Sequence, residues 1–351
     1  MYNFFKLIAF QLDPERAHNL AVKSLGLFPS VFSLYGSLEN NERFQIETNI
    51  GILPFPLGIA AGLDKNAELI DYFGLLGVGG LEVGTVTPIP QAGNEKPRLF
   101  RMPKEQSLRN CMGFNGDGAK AVLSNMKISN NYPMKVGINF GKNKATANDK
   151  ALEDYLILFD EFKEVGDYYV INVSSPNTPG LRELQDKEFL QNLNQELIKK
   201  VINKPVYLKI SPDMNKDQIS QIAQVVGESI FSGIIATNTT HIPELGPGGV
   251  SGRLIRHKSR DVRKQVLEVM SSFKGKDVIG VGGVESIDDL WEFWTLGGKY
   301  MQVYSAFIYQ GPKLFPQLAQ KLDRLMKYFG VSRVEELIRL AYFEKIKLPE
   351  V

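Results

Sequence analysis

Along the chain, short runs of apolar, β-branched and glycine residues alternate with longer stretches whose apolar positions recur at helical spacing. The short runs are residues 56–62, 80–86, 136–141, 168–173, 206–211, 233–237, 278–282 and 300–304. The longer stretches include residues 64–76, 149–164, 217–229, 287–296 and 312–327. Strand–helix alternation repeated eight times predicts an α/β fold, a (β/α)8 TIM barrel, with a doubly wound parallel sheet as the alternative. No G-x-G-x-x-G opens a helix after the first strand and no P-loop occurs, which argues against a dinucleotide-binding sheet.

The ends of the chain carry their own patterns. Asp13 can cap a helix with Pro14 at its first position, and Ala17, Leu20, Ala21, Ser24, Leu25 and Phe28 then recur on one face. Before it, Phe4, Phe5, Leu7, Ile8, Phe10 and Leu12 form a short, strongly apolar segment. The expected organisation is a small N-terminal helical extension over 1–37, a barrel over 38–330, and a helical tail over 331–351 with a Ser332/Glu335 capping box.

In such a barrel the active-site residues stand at the C-terminal ends of the strands. Here those ends are Ala60 to Lys65, Gly84-Thr85, Asn139 to Gly141, Asn172 with Ser174-Ser175, Lys209 with Ser211, Thr237 to Thr240, Gly282-Gly283 and Tyr304-Ser305. Small, amide and hydroxyl side chains dominate, and Asp64 is the one acid among them. Asparagine offers both donor and acceptor, which suits a planar ring with alternating N–H and C=O edges; helix capping is the plainer use of the same residues. Gly282-Gly283 before a helix starting near Ser286 fits a phosphate site, because barrels place one after strands seven and eight. Lys209 lies inside a strand, where it needs an anionic partner. A reduced flavin, negative near N1, would serve; a strand-end carboxylate is the alternative, and the neighbouring ends offer almost none.

Composition narrows the setting. Of 351 residues, 41 are basic and 39 acidic, so a net charge of +2 makes no case for nucleic acid. A single cysteine, Cys111, excludes an internal disulfide or a multi-cysteine metal or iron–sulfur site, and three scattered histidines disfavour a histidine metal site. No stretch reaches the ~20 apolar residues that span a bilayer. These features predict a metal-free, intracellular protein.

Nine segments, "AAGLDKN", "GTVTPIPQAGNEKPRLFRM", "NCMGFNGDG", "GINFGKNK", "NVSSPNTPGLR", "ATNTT", "GGVSGR", "IGVGG" and "VYSAF", together closely resemble the membrane-associated, quinone-dependent (class 2) dihydroorotate dehydrogenases. The resemblance runs from the Asp13–His18 motif to about Tyr328; one departure is Gly116, where the bacterial pattern often has a second Asn. It implies oxidation of dihydroorotate to orotate in pyrimidine synthesis, with FMN as cofactor and a membrane quinone of the ubiquinone or menaquinone type as acceptor. The FMN contacts it implies are Ala61, Gly62, Leu63, Asp64, Lys65, Thr85, Asn139, Asn172, Lys209, Thr237, Gly252, Gly283, Tyr304 and Ser305. For dihydroorotate they are Lys65, Asn110, Cys111, Met112, Gly113, Phe114, Asn172, Asn177, Asn238 and Thr239. Ser175 matches the family's base, hydride passing to flavin N5. A serine is a poor base alone, so Thr178 with an ordered water is its expected relay, in a loop shaped by Pro176, Pro179 and Gly180.

The resemblance also makes the N-terminal helices a membrane-lying pair, with His18, Arg101 and Tyr304 along the quinone's route to the flavin. A peripheral protein on the cytoplasmic face of a bacterial inner membrane follows, with no nucleic acid and no iron–sulfur partner subunit. Two other classes fit less well. A flavin barrel acting on transfer RNA needs a basic face, and a non-catalytic ligand-binding barrel has no need of Ser175.

Overall fold

The computed structural model describes residues 2–38, 42–178, 180–200 and 202–349, without the side chains of residues 3 and 4. The Phe4 side chain and Pro179, both singled out above, lie outside the described residues. Eight strands, β1 (Leu57–Ile59), β2 (Gly80–Val86), β3 (Lys135–Phe140), β4 (Tyr168–Asn172), β5 (Val206–Ile210), β6 (Gly233–Ala236), β7 (Asp277–Gly280) and β8 (Met301–Val303), pair in chain order and close into a barrel. Every pairing is parallel. The expected (β/α)8 architecture is therefore what the chain adopts.

Parallel barrel strands are covered outside by helices and filled inside by side chains, so they read as nearly continuous apolar runs. Every residue of β4, β5 and β6 is buried. Outside, helices bury one stripe each. In Leu314–Phe329 the buried positions are Leu314, Phe315, Leu318, Ala319, Leu322, Leu325 and Met326, at helical spacing. An antiparallel sheet of Leu99–Met102, Ser107–Asn110 and Gly249–Gly252 stands over one side of the barrel mouth.

Two expected boundaries are corrected. The helix anticipated from residue 64 begins at Ile70, because the Asp64 carboxylate accepts from the Glu68 and Leu69 amides, both at 2.9 Å, and closes the preceding segment as a turn. In the tail, Ser332 pairs with Glu336 and not Glu335: its N–H donates to Glu336 at 2.8 Å and its hydroxyl at 3.3 Å. The helix spans Val334–Phe343, so the third helical position falls on Glu336, while Glu335 accepts from the Glu47 amide at 2.7 Å.

The N-terminal segment forms α1 (Tyr2–Ala9), α2 (Pro14–Leu27) and a short turn of helix at Pro29–Ser33. Asp13 caps α2, accepting from the Arg16 amide at 2.9 Å. The face that α2 buries agrees only in part with the apolar face expected: Ala17, Ala21 and Leu25 do turn inward. Leu20 and Phe28 stand 54% and 59% exposed, and Glu15, His18 and Val22 join the inward side in their place. The cause is ionic. Arg98, buried in the loop before the small sheet, donates to Glu15 from Nε (3.1 Å) and Nη2 (2.8 Å), while its Nη1 binds the Ala92 and Asn94 carbonyls. That fork helps to fix the rotation of α2 and turns Leu20, Leu27 and Phe28 outward with Phe5, Leu7, Ile8 and Leu12.

The Arg98 hydrogen bonds hold the Glu15 carboxyl below its ordinary value despite burial. Its stabilisation is therefore complete above about pH 4.5 and is lost as pH falls through the depressed value. Glu15→Gln leaves Arg98 buried without a countercharge, at a cost of about 3–5 kcal/mol. The expected result is rapid proteolytic cutting in α2 at neutral pH with the barrel left intact, read by limited trypsin digestion and mass spectrometry.

Candidate active site

The strand ends surround a cavity of about 1260 Å³, counted with its open mouth. Lys209 and Gln302 stand inside the barrel at its floor, and Phe114, Asn110 and the small sheet close one side. Of the residues expected from the sequence, Ala61, Gly62, Lys65, Thr85, Asn172, Lys209, Thr237, Gly252, Gly283, Tyr304 and Ser305 line it. So do Asn110, Met112, Gly113, Phe114, Ser175, Asn177, Asn238 and Thr239.

Four others stand behind the lining. Leu63 faces the N-terminal helices, and Asp64 is spent on its own turn, its carboxyl pushed up to about 6 by burial. Asn139 lies fully buried beneath Thr85, and the Cys111 thiol donates to the Pro247 carbonyl at 2.9 Å.

A chain of hydrogen bonds orients the amides. Glu82, inside β2 and fully buried, accepts from Lys209 Nζ (3.0 Å) and Asn139 Nδ2 (2.6 Å) on Oε1. A carboxylate only accepts, so Asn139 must turn its NH2 toward it and its carbonyl oxygen toward the mouth. That oxygen takes the Thr85 hydroxyl (2.6 Å) and Asn172 Nδ2 (3.0 Å). Asn172 Oδ1 is then left to accept from Ser174 Oγ (3.1 Å) and Asn238 Nδ2 (3.2 Å). On the opposite wall Asn177 Nδ2 donates to Asn110 Oδ1 at 3.0 Å.

At the β7 and β8 ends, Gly282 and Gly283 have φ of 101° and 69°. A Cβ on Gly283 would come within 2.5 Å of the Arg256 backbone, and one on Gly252 within 2.6 Å of the Gln106 carbonyl. Only glycines fit, so the backbone itself is the surface offered there, as a phosphate cradle requires. Ser251 and Ser305 add hydroxyls 2.9 Å apart. Arg253 also lines this end, paired with Glu285 at 3.1 Å.

Lys65 is a free-standing cation in the cavity wall. Its Nζ donates to Asn115 Oδ1 at 3.1 Å and has no carboxylate partner among the described residues. Burial pushes it down to about 8, which an anionic ligand would reverse. Ser175 is buried on the cavity wall, and its Oγ accepts the Asn177 amide at 3.2 Å. Thr178 Oγ1, three residues on, is buried without a hydrogen-bond partner among the described residues.

A second chamber of about 790 Å³ lies between α1, α2 and the barrel. It is lined mostly by apolar groups, with Arg101, which donates to the Leu12 carbonyl at 2.9 Å and stacks over Phe10. His18, Leu99 and Tyr304 line both chambers. Burial pushes His18 down to about 4 and Tyr304 up to about 12, so both are neutral at pH 7.

Glu82 and Gln302 escaped the sequence reading because they sit inside strands and not at their ends. An acid in the otherwise apolar run "GLEVGTV" was the available signal. Lys209 accordingly has the carboxylate partner that the strand ends alone did not offer. Arg182 and Asp213 were also missed. Arg182 donates to the Ser174 carbonyl (3.1 Å), the Thr239 carbonyl (3.2 Å) and Asp213 (2.7 Å). Asp213 further accepts from Thr240 and Lys258, so one carboxylate ties the Ser175 loop to the ends of β5 and β6.

The fold is a (β/α)8 barrel, and its mouth brings together an ordered row of amides, a glycine-lined end and a lysine without a carboxylate partner among the described residues. The dihydroorotate dehydrogenase family profile matches residues 47–326. The chain is 39% identical to the dihydroorotate dehydrogenase (quinone) of a Nitratiruptor species, covering 96% of this chain and 98% of that one. It is 42% identical to the enzyme of the same name from Vibrio atlanticus, over 92% of this chain and 100% of the relative. Among solved structures, DHODH in complex with ferulenol from Eimeria tenella superposes with a TM-score of 0.82 at 29% identity, covering 95% and 98% of the two chains. The chain belongs to the dihydroorotate dehydrogenase family, a flavin-dependent family of oxidoreductases, and to its quinone-dependent class.

Asp213→Asn removes the charge that holds Arg182. Losing that charge-assisted bond should loosen the 174–182 loop by about 1.5–3 kcal/mol. The expected readout is faster amide hydrogen exchange in residues 174–182 at an unchanged melting temperature; unchanged exchange there would mean the loop is held by other contacts.

Proposed function

We propose that this chain oxidises dihydroorotate to orotate at an FMN held in the barrel mouth, with Ser175 as the base and a membrane quinone as the final acceptor. The observation that carries the reading is the placement of Ser175, Lys65 and an ordered set of asparagines around one cavity whose far end is a glycine cradle. The donor set fits FMN. Gly252, Gly283 and Ser305 would hold its phosphate, Thr85, Asn172 and Thr237 would meet ring and ribityl groups, and Lys209 would face the side of the ring that gains negative charge.

Bound FMN would supply the hydride acceptor. The rest is the work of side chains. Lys65 binds the substrate carboxylate, and Asn110, Asn177, Asn172 and Asn238 fix the pyrimidine ring through alternating donors and acceptors. Held so, the substrate presents the proton on the carbon next to the hydride donor to Ser175. Ser175 takes that proton and passes it on, with Thr178 as the next hydroxyl, its Oγ1 buried and uncommitted. Asp213 and Arg182 keep the loop shut over this transfer, which excludes bulk water.

The apolar second chamber is the quinone's approach in this reading, and His18 and Tyr304 are its boundary with the flavin site. The outward apolar side chains of the N-terminal helices would rest in the membrane interface. No described helix is long and apolar enough to cross a membrane.

Ser175→Ala should keep FMN and still bind orotate, while reduction of the flavin by dihydroorotate slows by about 10²–10⁴-fold in stopped flow. Ser175→Cys should recover part of that rate, since a thiolate can accept a proton. An alanine variant reduced at the parental rate would make Ser175 a loop residue only.

Removing residues 1–37 separates the two halves. Folded, FMN-loaded truncated protein should still be bleached by dihydroorotate and reoxidised by a small soluble dye. Turnover with a long-tailed quinone should fall at least tenfold and binding to lipid vesicles should be lost. Equal turnover with that quinone would place its entry elsewhere.

A further inference from the structure

Lys209 and Glu82 form a pair inside the barrel, with side chains 5% and 0% exposed. Glu82 Oε1 is shared between Lys209 and Asn139, and Oε2 is buried without a hydrogen-bond partner among the described residues. Its surroundings supply no second cation among the described residues. Tyr168 and Tyr300 feel its negative charge, which, after burial, helps to raise both hydroxyls, and the Tyr300 hydroxyl and Gln302 Oε1 are themselves unpartnered. The second oxygen of this carboxylate thus has no donor among the described residues, and Lys209 is the one described cation that contacts the group. Lys209 also lines the cavity floor, so the same ammonium faces two anions: Glu82 permanently, and a bound ring whenever that ring is reduced.

We propose that Glu82 is a positioning residue that meters the positive charge of Lys209 and thereby holds the reduction potential of the bound flavin down. The inference rests on the FMN reading above. The physical reason is Coulombic. In a buried site a carboxylate beside the ammonium leaves a nearly neutral pair toward an oxidised, uncharged ring, and it opposes the negative charge that the ring acquires on reduction. A lysine alone would stabilise reduced flavin so strongly that passing electrons onward would be slowed. With Glu82 in place the reduced state is bound only modestly better than the oxidised one, which favours release to the quinone. The same carboxylate orients Asn139 and through it Thr85 and Asn172, so its replacement is felt on both the ring and the substrate side.

The test is the midpoint potential of the bound flavin, measured by dye equilibration at one fixed pH. Glu82→Gln should raise the ratio of reduced to oxidised flavin affinity at least tenfold, which for a two-electron couple is about 30 mV upward. Reoxidation of the reduced, substrate-free flavin by quinone should slow. If Glu82→Gln does not fold with its flavin, Glu82→Asp gives the reading, because it draws the charge back from Lys209 by one methylene; a smaller upward shift is expected. A flavin-loaded variant of either kind with an unmoved potential overturns the proposal. Unaltered protein that purifies without a flavin spectrum and takes up no FMN would instead overturn the functional reading beneath it.

Discussion

One acceptor-only group inside the barrel orders everything above it. Because the Glu82 carboxylate can only receive hydrogen bonds, Asn139 has one orientation, and each amide after it inherits its own. A neutral group in that place would leave a row of reversible amides, and the mouth would present no fixed donor and acceptor pattern. The barrel supplies the other half of the arrangement. Its closure brings all eight strand ends to one rim, so residues as distant in sequence as Thr85 and Asn238 meet through Asn172.

A second buried charge pair sets the outer layer. Arg98 grips Glu15 and helps to fix which side of α2 faces the barrel. That rotation puts His18 at the wall between the two chambers and leaves a band of large apolar side chains facing outward. The guanidinium thus adds to the apolar contacts of Ala17, Val22 and Leu25 in setting which side of the helix is exposed.

Much of this could be read before any coordinates. The eight strands were legible because buried parallel strands are written as unbroken apolar runs, and the cavity lining was legible because barrels expose their strand ends. The misses share a physical cause. Glu82 and Gln302 hide within apolar runs, where periodicity looks for core and chemistry is not sought. The orientation of α2 depends on Arg98, 83 positions away, so no window along the helix contains the deciding contact. Asp64 looked like a strand-end site residue, yet its own backbone claims both oxygens. Local pattern predicts elements well; it does not tell which polar group answers to a distant partner.

The two chambers touch through only His18, Leu99 and Tyr304 among the described residues, and this has a pharmacological side. A molecule lodged between α1, α2 and the barrel would leave most of the polar mouth untouched, so with dihydroorotate in the mouth, as proposed, the two would not compete for one place. Much of the second chamber's wall comes from residues ahead of 47, outside the stretch that defines the family.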